Sequence, residues 1–292
     1  MEPTVIDLRQ HRSFMDTLTA VFEYLRSAFK PYFWSITVIA GPYILVAGIA
    51  LGFFYQDLLL LSSFGILDPD FLLTDFILPI AIAYSALLVA NIMLTTSSYA
   101  FMKFAQRERR YPNLEEVRAE MSGTLGLVIG SSILIVLIEI VMLILLVLPG
   151  IWMAVPLSLV IVIRINEDRT FSSALSRAFD LIREHWWWTF GILFLCYIAQ
   201  SIAASILSAP LTLLTMFNTV SGLEGGDTGG AMSVVIGVLT TASQITTFYF
   251  STILVVATAA IYYNHVERKD ATQLSERVAG LAGTAPGEPH AD

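Results

Sequence analysis

The sequence is poor in charge and nearly without cysteine: 14% of its 292 residues are charged, and Cys196 is the single thiol. Soluble domains carry roughly a quarter charged residues, so this chain has too little polar material to coat a water-facing surface. A lone cysteine excludes disulfide frameworks and cysteine-based zinc sites. The four histidines, His11, His185, His265 and His290, all fall outside the long apolar runs. An intramembrane His-metal site or Ser-His pair therefore has no histidine to use. The HExxH, GxSxG and GxxxxGK[ST] motifs are missing, and with them the zinc-protease, serine-hydrolase and P-loop chemistries they carry. No aspartate lies inside an apolar run, which removes an aspartyl dyad at membrane depth. The net charge of −8 leaves no footprint for nucleic acid. The expectation is a protein that is not an enzyme and needs no cofactor or metal.

What the chain has in abundance is apolar: 56% of residues are hydrophobic and the mean hydropathy is +0.72. About 20 apolar residues suffice to cross the ~30 Å hydrocarbon layer of a bilayer. Six apolar runs are present, at about 32–55, 76–102, 124–148, 151–165, 187–216 and 232–263. Helices are the expected form, because unpaired backbone groups are costly in lipid and a helix satisfies its own. The first run is interrupted at Gly41-Pro42, and Leu148-Pro149-Gly150 reads as a tight turn between the third and fourth. Fifteen residues in the fourth run cover only about 22 Å. Either its turn dips below the far surface or the third and fourth runs form a re-entrant hairpin.

Orientation follows from the basic residues. All sixteen fall on one side of this assignment: four before the first run, five between the second and third, four from Arg164 at the end of the fourth run to the fifth, three after the sixth. The opposite loops hold only acids, namely Asp57, Asp68, Asp70, Asp75, Glu224 and Asp227. Both termini are expected in the cytoplasm of a bacterial cell. Residues 1–12 are polar and lack the apolar core of a signal peptide. The expected organisation is a cytoplasmic segment 1–12, one membrane domain 13–265 and a cytoplasmic tail 266–292, disordered at its end. The glycine cluster Gly225-Gly226-Asp227 with Gly229-Gly230 reads as a flexible connector in a far-side loop.

Two charged stretches with helical periodicity precede runs one and five. Phe14, Leu18, Val21, Phe22, Leu25 and Phe29 form one stripe; Phe171, Leu175, Ala178, Phe179, Ile182 and Trp186 form the other. Such helices lie in the membrane plane with the apolar face down, and Trp186, Trp187 and Trp188 mark the interfacial level. The stretches align without gaps at an offset of 157 residues, Phe14 on Phe171 and Arg26 on Arg183. Asn113 with Glu116 reads as a capping box opening a short third helix before run three. The pattern predicts an all-α integral membrane fold of six spans with three cytoplasmic elbow helices, a possible three-fold parallel repeat of helix-plus-hairpin units.

The run LPGIWMAVPLSLVIVIRI, followed by FSSALSRAFDLIREHWW and TFGILFL, resembles uncharacterised bacterial six-span proteins related to the membrane domain of some glycerophosphodiester phosphodiesterases. The tail HVERKDATQLSERV resembles the end of similar proteins in Bacteroidetes-like bacteria. The resemblance implies a fold, with no catalytic residues to carry over.

Glu139 is the ionisable residue at membrane depth, about 22 Å from Thr124 by helical rise. Such groups usually face a protein interior or a water-filled cavity. Asn91, Gln200 and Gln244 reach similar depth on other runs, so Glu139, Asn91, Gln200 and Gln244 form the candidate mid-membrane polar site, supported by Ser131, Ser132, Thr240, Thr241 and Ser243. The alternative is that a neutral Glu139 hydrogen-bonds a neighbour and fixes helix packing. Gly48/Gly52 and Gly126/Gly130 are GxxxG pairs suited to close helix approach or to dimerisation. Asp180, Arg183, Glu184 and His185 read as the solvated side of an interfacial helix, with headgroup chemistry a weaker possibility. Two functions remain: a non-enzymatic scaffold, assembly or regulatory component, or a permease, channel or lipid-handling protein using the Glu139 site. Membrane lipids are the expected partners, with membrane proteins or a second copy as further ones.

Overall fold

The computed structural model describes residues 5–61, 77–145, 147–223 and 230–283. Among these residues the fold is helical, with no strand. Helix α1 covers Phe14–Ser27, α2 Phe29–Ile39, α3 Gly41–Leu61, α4 Leu78–Glu108 and α5 Leu114–Leu145. Helix α6 covers Val147–Glu167, α7 Phe171–Ile182, α8 Trp186–Leu223 and α9 Gly230–Gly283. Five stretches are long and apolar enough to cross a membrane: Leu78–Glu108, Leu114–Met142, Pro149–Glu167, Trp186–Leu214 and Val234–Lys269. A sixth arises if α2 and the first part of α3, bent by 62° at the Gly41 break, count as one span. Most of the expected acidic loops, including Asp68, Asp70, Asp75, Glu224 and Asp227, lie outside the described residues, as do Gly225, Gly226 and His290.

Local chemistry explains where the helices begin and end. Ser13 caps α1, its hydroxyl accepting the Asp16 N–H, and Thr170 caps α7 by accepting from Ser173. Both caps satisfy an N–H that the first helical turn leaves without a partner. Asn113 and Glu116 form the reciprocal box: the Glu116 N–H donates to Asn113 Oδ1 at 2.9 Å and the Asn113 N–H to Glu116 Oε2 at 2.8 Å. The box opens a single 32-residue helix, however, not a separate short one. Gly123 stands just before the apolar run, yet the helix continues through it, and no proline intervenes. Helix α6 likewise runs straight through Leu148-Pro149-Gly150, where a turn was expected. Pro149 sits in the first turn, where its missing N–H costs nothing. Helices α4 and α6 end on left-handed residues, Arg109 (φ 56) and Asp168 (φ 48).

The core gathers where α4, α6 and α9 meet, all three being in mutual contact. Phe101 and Met102 on α4, Leu159 and Ile163 on α6, and Val256 and Ile261 on α9 are all fully buried. The shorter helices wrap this centre in a regular way. The start of α5 packs on α4, through Lys103–Glu120 at 2.9 Å. Helix α7 packs on α6, and α1 packs on α9, which closes the chain's beginning onto its end. Residues that align at the 157 offset are buried alike: Thr17 and Ala174, Val21 and Ala178, Tyr24 and Leu181, Leu25 and Ile182. The caps Ser13 and Thr170 obey the same offset.

The α5–α6 hairpin is the short one. The Trp152 carbonyl accepts the Trp186 indole N–H at 3.3 Å, and its ring lies 5.4 Å from that of Phe179. From Trp152 only five residues, about 8 Å, remain to the start of α6. The comparable contact on α9 is Tyr249 against Phe33, at 6.0 Å. From there α9 extends another 19 residues, about 29 Å, to Gly230.

Candidate functional site

The four polar residues expected at mid-membrane share no hydrogen bond with one another among the described residues. Glu139 is exposed on α5, beyond Ser131, the last buried residue on that helix among those described. It makes no hydrogen bond or ion pair with another described residue. Asn91 is also exposed, its Oδ1 accepting from Thr95 one turn along the same helix at 3.3 Å. Gln200 and Gln244 are half-buried, and the shielded Gln200 Oε1 has no partner. The supporting hydroxyls are used locally. Thr240 donates to Ile236 O at 2.8 Å, and Thr241 lies within reach of Gly237 O at 2.9 Å and Gly48 O at 3.2 Å.

Ser131 has a partner that the sequence reading placed in a loop. Arg164 lies within α6, and its Nη1 donates to Ser131 Oγ at 2.6 Å and to Leu127 O at 3.1 Å. Its Nε donates to Arg169 O at 3.1 Å. The cation thus lies within a candidate span and is satisfied by neutral oxygens from the helix on which α6 packs.

A second polar cluster, at the ends of the three inner helices, was not singled out from the sequence. Asn264 on α9 donates to Arg12 O and to Thr17 Oγ1, both at 3.1 Å, tying α9 to α1 and the segment before it. His265, expected beyond the last span, is buried, with Nε2 2.9 Å from Thr189 Oγ1 of α8. The Tyr262 hydroxyl donates to Glu167 and the Tyr263 hydroxyl to Asn166, linking α9 to the end of α6. Gln106 at the end of α4 accepts the Leu8 N–H and donates to Ile6 O, both at 2.9 Å. Arg109 joins Asp7 at 2.6 Å. The contacts of Gln106, Asn264 and His265 answer buried polar groups that would otherwise be costly. The available signal was the placement of Gln106, Asn166/Glu167 and Asn264/His265, each at the exit of an apolar run.

A third feature lies at the α7–α8 junction, where a cavity of about 720 Å³ opens between the start of α6 and the turn into α8. Ile151, Trp152, Trp186, Trp187, Trp188 and Phe190 line it together with the polar Arg183, Glu184 and His185. Trp186 stacks on Phe190, with centroids 5.2 Å apart, and stands edge-on to Trp187 at 4.8 Å. His185 faces His265 at 5.9 Å. Burial, with Arg268 nearby, lowers the pKa of the His185 imidazole from the ordinary histidine value. Compared with known proteins, the chain matches no family model, no curated protein and no solved structure.

Proposed function

We propose that this chain is a non-enzymatic scaffold or assembly component of a bacterial cytoplasmic membrane, with both termini in the cytoplasm. The observation that carries the reading is where the polar groups are used. Glu139, Asn91, Gln200 and Gln244 share no hydrogen bond with one another among the described residues, while the polar groups at the basic end of the inner helices hold the segments together. The basic residues gather with that end: Arg9 lies over the Tyr263 ring, Lys269 near Asp180 and Lys103 against Glu120. A one-sided basic surface favours the cytoplasmic face.

The architecture supporting this function is three helix-plus-hairpin units in a ring, the first and third beginning with a separate amphipathic elbow and the middle one with the start of α5. Elbow α1 leaves Met15 and Phe22 exposed beside its buried face, and Phe29 at the start of α2 and Trp187 at the start of α8 are exposed just past the elbows, as suits an interfacial level. Of the two options for the middle hairpin, the contact of Trp152 with Phe179 and Trp186 favours re-entry. The six-span resemblance fits the same plan. Exposed apolar faces on α5 and α8 suit lipid, a membrane-protein partner or a second copy.

The second reading, a permease, channel or lipid-handling protein acting through Glu139, rests on an acid with no partner among the described residues. Reconstitution into vesicles separates the two. The scaffold reading expects ion, solute and lipid flux equal to that of protein-free vesicles, and migration in a larger assembly when gently extracted from cells. Flux that Glu139→Gln and Glu139→Ala abolish would replace it with the second reading.

A further inference from the structure

We infer that the cavity at the α7–α8 junction is a binding site for the headgroup of a zwitterionic phospholipid. Its volume, about 720 Å³, lies in the range of small-ligand sites. Its walls divide by chemistry. Trp152, Trp186 and Trp187 supply aromatic surface, which attracts an ammonium group through the ring quadrupole. Arg183 supplies a guanidinium suited to a phosphate, and Glu184 a carboxylate suited to the ammonium. Neither Arg183 nor Glu184 forms an ion pair or hydrogen bond with another described residue, so both are available to a ligand.

The charge balance selects the class. Arg183 and Glu184 contribute one charge of each sign to the lining. A lining that offers one guanidinium and one carboxylate matches a headgroup carrying phosphate and ammonium together. The setting selects a membrane lipid over a soluble phosphoamine. Trp187 is 76% exposed and Trp152 51% exposed beside Ile151, an apolar approach that acyl chains would cover. This site is independent of the scaffold reading, since it needs neither a partner protein nor Glu139.

Native mass spectrometry of the full chain, with phosphatidylethanolamine and phosphatidylglycerol supplied in equal amounts, tests the assignment. The expected result is about three- to ten-fold more bound phosphatidylethanolamine, the scale of one cation–aromatic contact with a charge pair. Glu184→Gln should bring the ratio to about parity, and Arg183→Gln should weaken both lipids. Both side chains are exposed, so the variants should fold, and an unchanged thermal midpoint checks this. Equal binding of the two lipids by the unaltered protein, or a preference for phosphatidylglycerol, overturns the proposal. So does glycerophosphoethanolamine competing as well as the intact lipid, which would make the cavity a site for a soluble ligand.

Discussion

At the basic end of the bundle, Asn264, His265, Glu167 and Gln106 each hold a partner from another segment. Along the far half of α5, by contrast, Ile133, Leu137, Ile140 and Val141 stand exposed. Apolar packing alone discriminates poorly in a bilayer, because lipid tails are as apolar as leucine. Directional hydrogen bonds at one end specify which helices meet and in what register. The apolar half then needs only to be compatible with lipid. The comparison assigns specificity to a handful of polar side chains and leaves the far half tolerant of change.

Asn264→Ala is expected to be the most damaging change. It strips two hydrogen bonds and leaves Arg12 O and the buried Thr17 hydroxyl without that partner. A loss of about 2–4 kcal/mol follows from orphaning such groups, measured as a drop in unfolding midpoint in detergent. A loss no larger than that of an apolar substitution on α5 would break the comparison.

Within the apolar half, one seam should behave like the tied end. A Cβ built on Gly52 would lie 3.0 Å from Gly237 O and from Thr241 Oγ1, and one on Gly48 3.2 Å from Thr241. Backbone cannot yield as a flexible side chain does, so Gly52→Val should push α3 off α9 at a cost of about 1–3 kcal/mol. Gly52→Ala should show a smaller loss in the same assay. A neutral valine would mean that the seam is looser than its distances imply.

Much of this organisation was legible in the sequence, for identifiable reasons. The 157-residue offset aligned the stripes of α1 and α7, and their buried residues follow it because helical period is local; the caps Ser13 and Thr170 obey the same offset but emerge only from the structure. The capping box at Asn113 located a helix start but carried no information on its end, so the fusion with the following span was missed. Pro149-Gly150 misled because proline marks a turn and the first turn of a helix equally well. Position along a helix was readable for Glu139, Asn91, Gln200 and Gln244. Direction around it was not, since that depends on which neighbour covers each face. Asn264 and His265 escaped notice because polar residues past the end of an apolar run are ordinary there.

Titration offers a smaller test at the tied end. His185 is held below the ordinary 6.5 by burial and by Arg268, with His11 acting in the same direction and Glu184 opposing, while the His265 ring packs against it. The unfolded chain therefore takes up a proton at this position before the folded protein does. The contribution is complete above about pH 6.5 and is lost as pH falls through the lower folded value. Thermal midpoints recorded from pH 8 to pH 5 should fall less steeply for His185→Gln than for the unaltered protein. Parallel curves would place the acid sensitivity elsewhere.

The smallest effect is expected at the other GxxxG pair. Gly126 and Gly130 share the spacing of Gly48 and Gly52, yet a Cβ at either meets nothing within 4 Å. The same motif thus sits on a packed seam in α3 and on an open face in α5. Gly126→Val should change stability by no more than about 0.5 kcal/mol, the usual range for an uncovered position. If it costs as much as Gly52→Val, the α5 face must be covered in the membrane. Stability that depends on protein concentration, and loses that dependence in the variant, would then identify the cover as a second copy, because only association makes a midpoint concentration-dependent.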